Sequence, residues 1–272
     1  MTILMLVFVA MFGAAFGSFL NVCISRLPEH RSVVSPRSHC PRCGNPIRGV
    51  DNIPLISWIL LGARCRACKA PIARRYPFVE LTLPILWIVC FEFFGMTLSF
   101  AGAALLCFLL LGLAVMDAET MRLPDAFTLP GIGLGVVFAA LVPANWTSTL
   151  SPHPALGAAA HSIAAALLAA AVVLLIRLSY RWLRGREGLG LGDAKLLAMI
   201  GAWLGVQRTA LTFFLAAVAG ATIGIAVLLG QRRPGEMTLM QKRLPLGTFL
   251  SIAALYSLFL GWSTIHWYLG LF

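Results

Sequence analysis

Long apolar runs alternate along this chain with short polar stretches, and the alternation continues to the C-terminus. A bilayer core takes about 20 apolar helical residues to cross. On that measure the pattern predicts eight spanning helices, near residues 3–23, 79–95, 99–116, 126–143, 157–178, 196–207, 209–230 and 246–268. The sixth is short for a full span. Gly190, Gly192, Gly201 and Gly205 around it predict close helix contacts rather than a helix facing lipid. The first run lacks the basic flank of a cleaved signal peptide and is expected to stay as a helix. One sizeable polar insert, 24–78, interrupts the pattern; it has neither helical nor strand periodicity and is too short for a conventional core. The predicted fold is an all-α polytopic membrane protein in three parts: a first helix at 1–23, a small polar domain at 24–78 and a membrane domain at 79–272.

Composition agrees. The chain is 60% hydrophobic and 11% charged, far from the roughly one-quarter charge of a soluble domain. The net charge of +11 invites a nucleic-acid reading. Its distribution excludes one, because the basic residues fall in short blocks between apolar runs and no RNA- or DNA-binding motif accompanies them. Of the 21 Lys and Arg, all but Arg208 fall on one face of an eight-span topology with both termini outside. Positive charge collects on the cytoplasmic side, which places the insert there. The same topology puts Asp117 and Asp193 at cytoplasmic span ends, so the two can cooperate.

Four of the seven cysteines form two pairs, Cys40-Pro-Arg-Cys43 and Cys65-Arg-Ala-Cys68, within the most basic segment. CPRCGNPI and CRACKAPI resemble each other as paired knuckles do. Two Cys-x-x-Cys knuckles in a reducing compartment present four thiolates to one tetrahedral metal, and Zn²⁺ suits that set. A closed four-thiolate site has no open position, so the expected role is structural. Arg42, Arg66 and Lys69 are expected to offset the thiolate charge, and His39 is a spare ligand. Cys23, Cys90 and Cys107 read as buried apolar side chains.

Asp117 closes the run FAGAALLCFLLLGLAVMD, at the unfavourable end of a helix dipole. Asp193 lies in GLGLGDAK, where Gly190 and Gly192 admit a close neighbour and Lys195 is near enough to tune local charge. Asp125 follows Pro124 at a helix restart and is expected to cap the fourth span or to support the reacting pair from behind. Either aspartate alone could be a cap. Two brought together cannot both ionise cheaply, so one keeps a proton as acid while the other serves as base toward water. No Ser/His/Asp or Cys/His grouping competes. A proton-coupled transporter would need acids near the midplane, for which Glu92 is the deep candidate, and an inverted repeat, which is not seen. A zinc-ribbon protein that anchors a partner is the other alternative.

GSFLNVCISRLP at 17–28, the knuckles, NIPLISWILLGARC at 52–65, RYPFVELT at 75–82, and the two aspartate motifs in order resemble the bacterial type IV prepilin peptidases. The resemblance implies an intramembrane aspartic endopeptidase of the GxGD type with Asp117 and Asp193 as its catalytic pair. It implies an inner-membrane enzyme acting on the leaders of type IV prepilins and pilin-like type II secretion subunits. It further implies N-methylation of the new terminus from S-adenosylmethionine, although 24–78 shows no glycine-rich nucleotide fold. The run Pro245-Leu246-Gly247-Thr248 departs from the family's usual proline-phenylalanine-glycine-proline, and is expected not to touch the aspartates. Because the leaders are themselves basic, the basic insert is expected to meet anionic lipid headgroups instead.

Overall fold

A computed structural model describes residues 2–143, 153–185, 189–230 and 244–271. The basic loop 231–243, with Arg232, Arg233, Lys242 and Arg243, and Arg186 lie outside the described residues. The helices are α1 (Thr2–Arg26), α2 (Ile56–Leu60), α3 (Arg75–Phe94), α4 (Leu98–Thr120), α5 (Asp125–Leu141), α6 (Pro154–Arg184), α7 (Leu191–Gly230) and α8 (Leu246–Leu269). Among the described residues, six helices are long and apolar enough to cross a membrane, and α5 is a shorter apolar one. The chain forms two compact units, 1–112 and 113–272.

In the first unit, α1 packs antiparallel on α3 because its small residues let the backbones touch. A Cβ at Gly13 would lie 2.7 Å from Pro84 Cα, and one at Gly17 3.0 Å from Glu80 Cα. This is the Gly-x-x-x-Gly spacing that brings membrane helices into close packing. A turn further on, the buried Asn21 donates to the Tyr76 carbonyl at 3.1 Å. The insert between these helices has little core, as its composition leads one to expect. It consists of 3₁₀ turns at Leu27–Glu29 and Gly49–Asn52, the five-residue α2, and isolated bridges between His39 and Pro46 and between Arg64 and Pro71.

In the second unit, the sixth and seventh predicted spans form one continuous assignment, α7, broken at Gly205 with φ 76° and ψ 173°. Register shows that the chain reverses there. Gly192, at the start of α7, and Gly247, at the start of α8, both crowd Leu123, so these two ends coincide. Past the break, Arg208 lies against Gly261 and Thr212 donates to Ser257 at 2.9 Å. Gly220 then faces Phe249, and Gly224 faces Leu244. Residues 206–230 therefore run back toward the end where α7 began. The reversal lies at Gly205, not near Arg208 where the polar residues suggest it. That conformation is essentially confined to glycine. Gly205 thus makes a turn rather than the helix contact expected of it. Gly201 does make such a contact, since a Cβ there would lie 2.7 Å from the Ala165 carbonyl oxygen of α6. Arg208 donates from Nε to the Leu204 carbonyl at 2.9 Å, satisfying an acceptor that the break leaves without its helical partner.

Candidate functional site

Asp117 sits in the last turn of α4 and is 5% exposed. Met121, with φ 54°, turns the chain out of the helix, and Pro124 starts α5. A carboxylate at this end of α4 opposes the helix dipole, and the fold answers by bringing up the N-terminus of α8. The Thr248 N–H donates to Asp117 Oδ2 at 2.8 Å. The Thr248 hydroxyl lies 3.3 Å from the same oxygen and 3.0 Å from the Ala114 carbonyl. The first-turn N–H groups of a helix have no partner within it and favour an anion. A Cβ on Gly247 would lie 3.0 Å from both Cγ and Oδ2 of Asp117, so only glycine lets α8 approach this closely.

Asp193 lies in the first turn of α7, half-buried. Its Oδ2 accepts the Gly190 N–H at 3.1 Å, half of a capping box. Leu123 packs beside both centres, 3.2 Å from a Cβ position on Gly192 and 3.0 Å from one on Gly247. Asp193 thus has a capping bond of the ordinary kind, while Asp117 does not.

Of the two roles expected of Asp125, the geometry favours the supporting one, with Lys195 as its partner. Asp125 makes no side-chain capping bond at α5. Its Oδ1 instead accepts from Lys195 Nζ at 2.6 Å, which ties the starts of α5 and α7 together. Lys195 is therefore committed to Asp125 rather than to Asp193. The run at 245–248 is likewise corrected: it does touch an aspartate, through Gly247 and Thr248. Glu92 is exposed in the last turn of α3, far from the deep position a proton relay needs. The buried acid of that helix is Glu80, which accepts the Leu55 N–H at 2.8 Å and anchors the insert.

The four paired cysteines come together as their spacing predicts. Their sulfurs all lie within 4.8 Å of one another, a group that could hold a metal ion. The two knuckles repeat each other bond for bond. Cys40 N–H donates to Asn45 O and Gly44 N–H to Cys40 O; Cys65 N–H donates to Ala70 O and Lys69 N–H to Cys65 O. The residue after each second cysteine, Gly44 or Lys69, takes positive φ. Cys40 Sγ and Cys68 Sγ are 3.8 Å apart. Ligands on a tetrahedral zinc with bonds of about 2.3 Å stand about 3.8 Å from each other, so the donor set fits. The N–H groups of Cys43 and then Arg42 lower the Cys40 thiol to about 6, while Cys43, despite the Asn45 N–H and crowded by the other three sulfurs, is raised to about 11, so the four share charge unequally without a metal. His39 is outside the four-sulfur group and its Nδ1 lies 3.1 Å from the Arg37 carbonyl. Arg66 does not face the thiolates as expected. It forms a two-pronged pair with Asp51, at 2.9 and 2.6 Å, which holds the Asp51 carboxyl below its ordinary range.

The family model for the bacterial Peptidase A24 N-terminal domain matches residues 11–94, and that for the type IV leader peptidase family matches residues 104–225. A prepilin leader peptidase/N-methyltransferase of Aeromonas salmonicida is 36% identical over 96% of this chain and 93% of its own. The chain belongs to the type IV leader peptidase family. Proteins of the same description from Myxococcus xanthus and Pseudomonas aeruginosa are 39% and 36% identical, over 85% and 94% of this chain and 66% and 88% of theirs. No solved structure matches. Within this leader peptidase chain, Thr248 and Glu80 are the residues of the two polar sites that sequence reading passed over. Glu80 stood in view, as an acid near the start of an apolar run. Thr248 stood in the run that departs from the family pattern, but nothing in the sequence linked it to Asp117.

Proposed function

We propose that this protein is an integral-membrane aspartic endopeptidase that removes the leaders of type IV prepilins and of pilin-like secretion subunits, and then N-methylates the new terminus. The observation that carries the peptidase reading is Asp117, a buried carboxylate at the wrong end of α4. Asp193 stands at the same end of the second unit, where Leu123 packs against both Gly192 beside it and Gly247 beside Asp117, in a chain of the leader peptidase family. Asp117 takes a proton from water as the oxygen adds to the scissile carbonyl carbon, and Asp193 gives its proton to the carbonyl oxygen. When the tetrahedral intermediate collapses, the carbon–nitrogen bond breaks, Asp117 passes its proton to the leaving amine, and Asp193 recovers one from the intermediate. The pair ends as it began, with no covalent enzyme intermediate.

Zinc on Cys40, Cys43, Cys65 and Cys68 stabilises the insert and leaves no position for chemistry. Methylation draws on S-adenosylmethionine, and support for it comes from the likeness to the methyltransferase relatives. The insert offers that donor no βαβ nucleotide fold, because its described residues form knuckles, 3₁₀ turns and one short helix. Charge distribution supports a bacterial inner-membrane protein with both termini periplasmic, the active site and insert cytoplasmic, and basic residues of the insert against anionic headgroups.

Mass spectrometry of the N-terminus of a co-expressed prepilin tests both activities at once. Asp117→Asn and Asp193→Asn each lower leader cleavage by about 10²–10⁴-fold while the protein still inserts. Normal processing by either variant would remove the pair from the mechanism.

A further inference from the structure

The two carboxylates are not held alike, and the difference lies in Thr248. Asp193 accepts one backbone N–H, from Gly190 beside it in the chain. Asp117 accepts from the α8 N-terminus, chiefly the Thr248 N–H at 2.8 Å, while the single Thr248 hydroxyl proton is shared between Oδ2 at 3.3 Å and the Ala114 carbonyl at 3.0 Å. Donors favour the charged form of a carboxylate, and a helix N-terminus adds to that preference. Thr248 stands at the last position of the run that departs from the family pattern. A proline there has no N–H and no hydroxyl to offer.

We infer that Thr248 is a positioning residue that keeps Asp117 in its carboxylate form, making Asp117 the base of the pair and Asp193 its acid. This rests on the peptidase reading above. Among the described residues, the charged groups around Asp117 are few. From α7 come Asp193 and Lys195, the latter paired with Asp125 of α5. On its own helix and the turn beyond it are Glu119 and Arg122. The described start of α8, residues 244–249, carries no charge. Burial favours the neutral form of both aspartates, and the Thr248 N–H on Asp117 is the donor that opposes it from another helix.

The order of ionisation follows. In a coupled pair the acid limb of the pH–rate profile reports the first proton lost and the alkaline limb the second. If Asp117 ionises first, its Thr248 donors act on the acid limb alone, since Asp117 is already charged when Asp193 gives up its proton. If the roles were reversed, the same donors would act on the alkaline limb.

The test is the pH profile of kcat/KM for the purified full-length enzyme in detergent, with an intact type IV prepilin as substrate. Wild type is compared with Thr248→Val, Thr248→Pro and Asp117→Asn. Thr248→Pro removes both donors at a first-turn position that tolerates proline. It moves the acid limb up by about one pH unit and leaves the alkaline limb in place. Thr248→Val keeps the N–H and moves the acid limb in the same direction by less. Movement of the alkaline limb, parallel movement of both limbs, or an unchanged profile in both Thr248 variants overturns the inference. Thr248→Val retains the side-chain shape, so it gives the answer if the proline variant does not fold. Cleavage by Asp117→Asn would instead remove the peptidase reading itself, which keeps the two failures distinct.

Discussion

Replacing Gly205 with Ala tests the reversal that divides α7. The residue has φ 76° and ψ 173°, a region that L side chains avoid whatever space surrounds them. Holding such a conformation costs of order 1–3 kcal/mol, or about 2–12 °C in the unfolding midpoint of a chain of this size. The control is Gly133→Ala in α5. That position is exposed, and a Cβ there meets nothing within 4 Å. Its helix should gain roughly 0.5–1 kcal/mol, because alanine loses less backbone freedom than glycine. The assay is intrinsic Trp fluorescence of both purified variants heated in one detergent at one scan rate, since membrane proteins often unfold irreversibly. Gly205→Ala should melt below wild type and Gly133→Ala at or above it. A reporter fused to the C-terminus should report the same face as in wild type in both. If Gly205→Ala melts with wild type, or if the reporter changes sides, the reversal is not where the backbone angles put it.

Further outcomes are expected. Gly247→Ala pushes a methyl group to 3.0 Å from the Asp117 carboxyl. Leader cleavage should then fall by about 10–10²-fold with insertion unchanged, since small misplacements at a reacting group are costly; wild-type kcat would show that α8 can retreat. Asp125→Asn and Lys195→Gln break an ion pair whose side chains are 58% and 36% exposed, so stability should drop by at most about 1 kcal/mol. Complete loss of cleavage in Asp125→Asn would move that residue into the reaction. Cys43→Ser or Cys65→Ser should remove bound zinc, read by elemental analysis, and reduce stability and N-methylation more than cleavage. Equal loss of cleavage would make the insert part of the peptidase site.

The helices were legible because burial in lipid demands long apolar runs, and the knuckles because metal ligation demands a spacing. Each is a property of neighbours in sequence. The misread residues are those whose meaning depends on a partner elsewhere in the chain. Asp125 has the local context of a cap, yet it bonds Lys195, 70 residues away. Arg66 sits inside a knuckle but pairs with Asp51. Thr248 is 131 residues from Asp117, and no periodicity links them. Gly205 was singled out for the right reason, freedom from a side chain, but that freedom is used in the backbone and not in packing. Asp117 was readable because it had no local explanation, and the α8 N-terminus supplies the distant one.

The break at Gly205 also limits how far Asp193 can stand from the turn of α7. Residues 191–204, rising about 1.5 Å each, extend only about 21 Å. A hydrocarbon layer is about 30 Å thick. With the bend level with the outer boundary of that layer, the limb ends well inside the inner one, and Asp193 ends with it. A bond at the mouth of a helix already lodged in lipid then needs to be lifted only partway out to be cut, and water must come down to meet it.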